Sequence, residues 1–160
     1  MDLKNSKTKE NLKTAFTGEA MARCKYMYYA EKARAEGMEG LALAYEKASR
    51  NEQEHGKLWF ERYHGILSKE ENLKDAIAGE TYESEDMYIN FAKIAKEEGF
   101  NDIAMLFEHV AKIEEGLKIC SLNFWIAVAK LMQNGNVLNA DICITKQKRL
   151  KIVPYANNIE

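Results

Sequence analysis

Glu52 and His55 stand three residues apart in the stretch Asn51-Glu52-Gln53-Glu54-His55. On a helix that spacing sends both side chains out from one face. Turned into a helical bundle, such a pair offers one carboxylate and one imidazole to a metal ion. Taken alone the motif is weak, because helix surfaces are rich in glutamate and a solvated face accounts for most single matches. Further acidic residues change that reading: Glu19, Glu80, Glu83 and Glu114. Glu19 and Glu80 each follow a glycine and sit among apolar residues such as Phe16, Ala20, Ile77 and Ala78. Carboxylates turned into one core repel one another, and each pays a desolvation cost unless it is neutralised. A pair of metal cations removes that cost and holds helices in register. Oxygen ligands with one or two imidazoles suit iron or manganese, with zinc as a substitute.

The elements that must position these residues come as a duplication. "ENLKTAFTGEAM" at Glu10–Met21 matches "ENLKDAIAGETY" at Glu71–Tyr82, so that Glu80 lies 61 residues after Glu19. "EGMEGLALAYEKASRNEQEH" at Glu36–His55 matches "EGFNDIAMLFEHVAKIEEGL" at Glu98–Leu117, with Glu114 lying 62 residues after Glu52. The offset grows by one because the third segment has an extra residue before its glycine. The pattern is a helical hairpin present twice. The first segment opens near Ser6 or Thr8 and stops at Gly37, and the second runs from Glu39 to Tyr63 with Gly65 beyond it. Ser68-Lys69-Glu70-Glu71 reads as a capping box for a third helix ending at Gly99. Asn101 or Asp102 is expected to cap a fourth, followed to Asn134-Gly135. Short glycine turns make antiparallel neighbours within each pair. The expected fold is all-α, a four-helix ferritin-like bundle over residues 1–135, with a tail from 136 to 160 carrying the basic run Lys146-Gln147-Lys148-Arg149-Leu150-Lys151.

Composition agrees. A chain of 160 residues, 46% hydrophobic and with a single proline, has material for one cored helical domain. A net charge of -2 provides no basic field for nucleic acid. No apolar run is long enough to span a bilayer, and Met1-Asp2-Leu3-Lys4 does not open a signal peptide, so a cytoplasmic setting is expected. Cys24, Cys120 and Cys143 are odd in number and widely spaced, which argues against a disulfide framework, a zinc ribbon or a rubredoxin-type iron site.

Glutamate from each of two helices plus Glu-x-x-His from each of the other two is the di-metal pattern of ferritin-like bundles. Glu83, three residues after Glu80 where the repeat has Ala22, adds a second glutamate on the third helix. With "GEAMARCKYMYYAEKARAEG", "NEQEH" and "AGETYESEDMY...FAKIAKEEGF", the chain resembles the rubrerythrins over roughly Thr8 to Glu115. That resemblance implies a centre of two iron ions held by Glu19, Glu52, Glu80 and Glu114, with Glu52 and Glu114 bridging. It implies that His55 and Glu83 compete for one iron, and that Tyr26 and Tyr88 stand beside the centre. It further implies reduction of hydrogen peroxide to water with electrons returned by a rubredoxin.

Two departures from that family pattern matter. The repeat and the family both place a histidine at 117, but the chain has Leu117, which cannot ligate and leaves the second metal site doubtful. His109, five residues before Glu114 and about 140° around the helix, is a poor substitute. The rubredoxin-like C-terminal domain is missing, so a separate electron donor is expected. A metal-binding or structural bundle without turnover is the rival reading. Met21, Met27, Met38, Met87, Met105 and Cys24 are expected as core residues, and Tyr28, Tyr29 and Tyr45 as core or interface aromatics. The apolar stretch Leu122 to Val128 points to a homodimer, with hairpins that can pair in cis or be exchanged between chains.

Overall fold

The computed structural model describes residues 3–134, and all regular structure among them is helical. The expected tail, 136 to 160, lies outside the described residues. Two compact units divide the chain, Met1–Leu67 and Ser68–Glu160, and each contains one copy of the hairpin. No helix among the described residues is long and apolar enough to cross a membrane.

In the first unit α1 (Lys7–Ala35) runs into α2 (Glu39–Tyr63). Ser6 caps α1, its hydroxyl accepting the Lys9 N–H at 3.1 Å, which satisfies one of the otherwise orphaned donors of the first turn. The helix stops at Gly37, whose φ of 76° only glycine adopts cheaply. There the Met38 N–H bonds back to the Ala33 carbonyl at 2.9 Å and the Gly37 N–H to that of Arg34 at 3.0 Å, a paired C-terminal cap. The Arg34 guanidinium then reaches across the turn to Glu39 and to Glu46, the latter at 2.7 Å.

The second unit repeats this plan with one interruption. Its first arm is α3 (Lys69–Tyr82), a π turn over Glu83–Met87, and α4 (Tyr88–Glu97); its second is α5 (Asn101–Asn134). The expected capping box is formed: the Glu71 N–H donates to the Ser68 hydroxyl at 3.2 Å, and the Glu71 carboxylate accepts from the Ser68 backbone, also at 3.2 Å. At Gly99 (φ 88°) the Phe100 N–H reaches Ala95 and the Gly99 N–H reaches Lys96. Lys96 pairs with Glu108, 62 residues after Arg34 and Glu46. Buried small residues line both seams in register: Ala30, Ala33, Ala42 and Ser49 in one hairpin, Ala92, Ala95, Ala104 and Ala111 in the other.

The π turn corrects the expectation of an unbroken third helix and locates the extra residue of the repeat. Up to Glu83 the two copies align at 61, and from Tyr88, the counterpart of Tyr26, they align at 62. The added residue therefore falls in Glu83–Met87, where the Tyr88 N–H bonds five residues back to Glu83. A π turn takes in one residue while the helix continues on both sides.

Other expectations need correcting. Asn101 and Asp102 lie within the first turn of α5 rather than before it, and the Phe100 carbonyl accepts from Ala104, as the Met38 carbonyl does from Ala42 in α2. Met21, Met27, Met38 and Met105 are exposed rather than core, and so is Cys24; Tyr28 and Tyr29, expected in the core or at an interface, are also outside the core. Two helices meet along one seam, and in the first hairpin alanines and the flank of Tyr45 already fill it.

Candidate metal centre

α1 carries Glu19 and α2 carries Glu52 and His55, and these three bring one ligand atom apiece to within 4.8 Å of one another. His55 Nδ1 lies 2.9 Å from a Glu52 carboxylate oxygen and 3.9 Å from one of Glu19. The two carboxylates are half-buried and the imidazole is exposed. Gly56, the residue after His55, is buried against α1, where a Cβ would stand 3.5 Å from that of Glu19. The tilted pair Phe16 and Phe60, 5.1 Å between ring centres, packs alongside. An open pocket of about 340 Å³, lined in part by Phe16, Ala20, Glu52 and Gly56, adjoins the cluster.

The second hairpin assembles Glu80 from α3, Glu83 from the π turn and Glu114 from α5, again within 4.8 Å and all half-buried. Burial pushes the Glu114 carboxyl above the ordinary glutamate value, and its hydrogen bond to Glu80 and that residue's charge push it the same way. Burial, followed by the charges of Glu83 and Glu114, raises the Tyr88 phenol, which keeps it a hydrogen-bond donor. Ser84 Oγ donates to the Glu80 carbonyl at 2.7 Å, and Lys118 on α5 pairs with Glu85 of the π turn at 2.7 Å. These last two contacts were missed in the sequence; the growth of the repeat offset by one residue was the available signal.

The six acidic and imidazole residues singled out from spacing thus fall three and three, one set per hairpin. Tyr26 stacks on Tyr45 at 6.1 Å, and Tyr88 meets Phe107 at 6.0 Å. Leu117, at the position equivalent to His55, adds no donor, and His109 belongs to neither cluster. One set is nitrogen and oxygen, the other all oxygen. Three carboxylates so close fit a hard cation of iron or manganese type, and two carboxylates with one imidazole suit the same metals.

Known proteins show the same relationship. The family model described as Rubrerythrin matches residues 10–116. The chain is 33% identical to the rubrerythrin of Porphyromonas gingivalis, covering 95% of this chain and 86% of that protein. It is 33% identical to the rubrerythrin of Clostridium perfringens over 87% of this chain and 78% of that one. A similar identity, 34%, relates it to the nigerythrin of Nitratidesulfovibrio vulgaris over 69% and 61% of the two chains. With a family match that takes in both acidic clusters and the turns that carry them, the chain belongs to the rubrerythrin family of ferritin-like, all-α di-iron proteins.

Proposed function

We propose that this protein is a non-haem di-iron peroxidase that reduces hydrogen peroxide to water with electrons from a separate donor of rubredoxin type. The observation that carries the reading is the pair of three-donor clusters, one in each copy of the hairpin. Glu19, Glu52 and His55 would hold one ion, and Glu80, Glu83 and Glu114 the other. Iron, when bound, supplies the two electrons that peroxide takes up with two protons as its O–O bond breaks. The chain's own residues supply position and protons. Glu83 is half-buried in the π turn, close enough for its charge to raise the Tyr88 phenol, and serves as the proton carrier. The Tyr88 hydroxyl, kept protonated, donates a hydrogen bond toward a peroxide oxygen, and Tyr26 holds the corresponding place in the first hairpin. A homodimer is part of the proposal, supported by the exposed Leu122 and Ile126 on α5.

Leu117 favours a second reading, a metal-binding bundle with an incomplete site and little turnover. The test is anaerobic loading with ferrous iron, followed by metal analysis and by peroxide consumption with reduced rubredoxin. About two irons per chain and sustained turnover support the peroxidase, as the di-metal pattern requires. About one iron, with peroxide untouched, supports the second reading.

A further inference from the structure

In the first hairpin Tyr26, Tyr29 and Tyr45 touch one another. Ring centres are 6.1 Å apart for Tyr26 and Tyr45, 6.4 Å for Tyr26 and Tyr29, and 5.6 Å for Tyr29 and Tyr45. The second hairpin builds the same triangle 62 residues on from Tyr88, Phe91 and Phe107, with separations of 6.2, 6.0 and 5.5 Å. Phenylalanine therefore serves the packing at two of the three places, and the two extra hydroxyls of the first hairpin are not needed for it. What those hydroxyls add is chemistry: a phenol gives up an electron and a proton, which a phenylalanine ring resists. Tyr26 follows Glu19 by seven residues and Tyr45 precedes Glu52 by seven. Seven residues are two turns on the same stripe, about 10 Å along the axis. Tyr29, at 47% exposed, carries the triangle to water.

We propose that Tyr26, Tyr45 and Tyr29 form a phenol relay that carries one-electron oxidising equivalents from the Glu19, Glu52 and His55 cluster to the surface. The relay rests on the aromatic geometry of the hairpin, and its oxidant, hydrogen peroxide, rests on the peroxidase reading above. Where a cluster delivers one electron to peroxide rather than two, Tyr26 supplies the second electron and a proton. One peroxide, one electron, one proton and one phenol then yield two waters and a neutral phenoxyl radical. An electron and a proton from Tyr29 or Tyr45 restore Tyr26 and move the radical outward. At Tyr29 a small soluble reductant of the ascorbate or thiol class gives back a hydrogen atom. With Leu117 the second cluster lacks a nitrogen donor, and an ion missing there is the circumstance in which electrons arrive singly.

Two experiments test this, both using Tyr29→Phe, which copies the second hairpin and so keeps the packing. In metal-free protein, photo-oxidised tris(bipyridine)ruthenium with persulfate generates the oxidising equivalents, and mass spectrometry locates the modified tyrosines. Half-buried Tyr26 should be oxidised in the parent and at least several-fold less in Tyr29→Phe, with exposed Tyr28 unchanged. Equal oxidation of Tyr26 in both proteins would overturn the relay. In ferrous-loaded protein mixed with peroxide, the phenoxyl signal in electron paramagnetic resonance should be quenched by ascorbate several-fold more slowly in Tyr29→Phe. Equal quenching would also overturn it. If the metal-free result holds while the ferrous protein leaves peroxide untouched, the peroxidase reading falls and the relay stands.

Discussion

At Leu117 the chain places a hydrocarbon where its own first copy places His55. The cluster nearest that position has carboxylates alone, and burial, then the hydrogen bond and charge of Glu80, raise the Glu114 carboxyl above the ordinary glutamate value. A cation entering there finds oxygen donors alone. Leu117→His should therefore tighten the weaker ion, on the order of tenfold or more, and bring iron content toward two per chain. Metal titration of parent and variant checks it, and a parent that already binds two ions with equal strength would refute it. A second residue-scale effect sits at the start of α3. Hydrogen bonds from the Ser68 hydroxyl and then its backbone N–H hold the Glu71 carboxyl below the ordinary glutamate value. An acid whose folded value is lowered stabilises the fold above its unfolded value, and that stabilisation is lost as pH falls through the folded one. Ser68→Ala should cost about 1 kcal/mol at neutral pH for the lost cap. The difference should shrink in acid, and the Glu71 titration followed by NMR should return toward the ordinary value.

Among the elements, the π turn at Glu83–Met87 does the most for the site. It absorbs the added residue of the second copy and so lets Glu80 and Glu83 face α5 while Ala92 and Ala95 keep the seam register of Ala30 and Ala33. Deleting Asp86 should turn this segment into regular α-helix. α3 would then rotate about 100° relative to α4, one residue's worth of helix. Far-UV circular dichroism should be nearly unchanged, because the helix continues. Metal titration should lose the ion proposed for Glu80, Glu83 and Glu114 and retain the one proposed for Glu19, Glu52 and His55. Retention of both ions would mean that the turn does not set the cluster.

For the whole molecule the exposed large apolar side chains have a consequence. Leu122 and Ile126 lie open on α5, as do Met21 and Tyr28 on α1 and Met105 on α5. Apolar surface of this kind marks association. Sedimentation at micromolar concentration should find a dimer. Leu122→Lys with Ile126→Lys should move it to monomer without loss of helix. A clean parent monomer would count against the proposed assembly.

Much of this was legible in the chain itself, because it depended on contacts within a few residues. Helix limits at Gly37, Tyr63 and Gly99 follow from local backbone preference, and the Ser68 box from side chains three residues apart. The all-α class and the two-fold hairpin follow from a repeat that any alignment of the chain with itself exposes. Glu19, Glu52, Glu80 and Glu114 stood out for the same reason, at matched places in the two copies; His55 stood out by its spacing from Glu52, and Glu83, where the first copy has Ala22, pointed to the rubrerythrins. Tertiary structure decided what needed a partner helix. It determined that the seams close on alanine, so that Met21, Met27 and Cys24 face outward. The extra residue is taken up as a π turn, and Glu83 at its start and Tyr88 just after it both meet residues of α5. The three tyrosines became a triangle because α2 brings Tyr45 against Tyr26 and Tyr29. The raised Glu114 carboxyl likewise arises because α3 and α5 bring it against Glu80, 34 residues away in the chain, in a half-buried place.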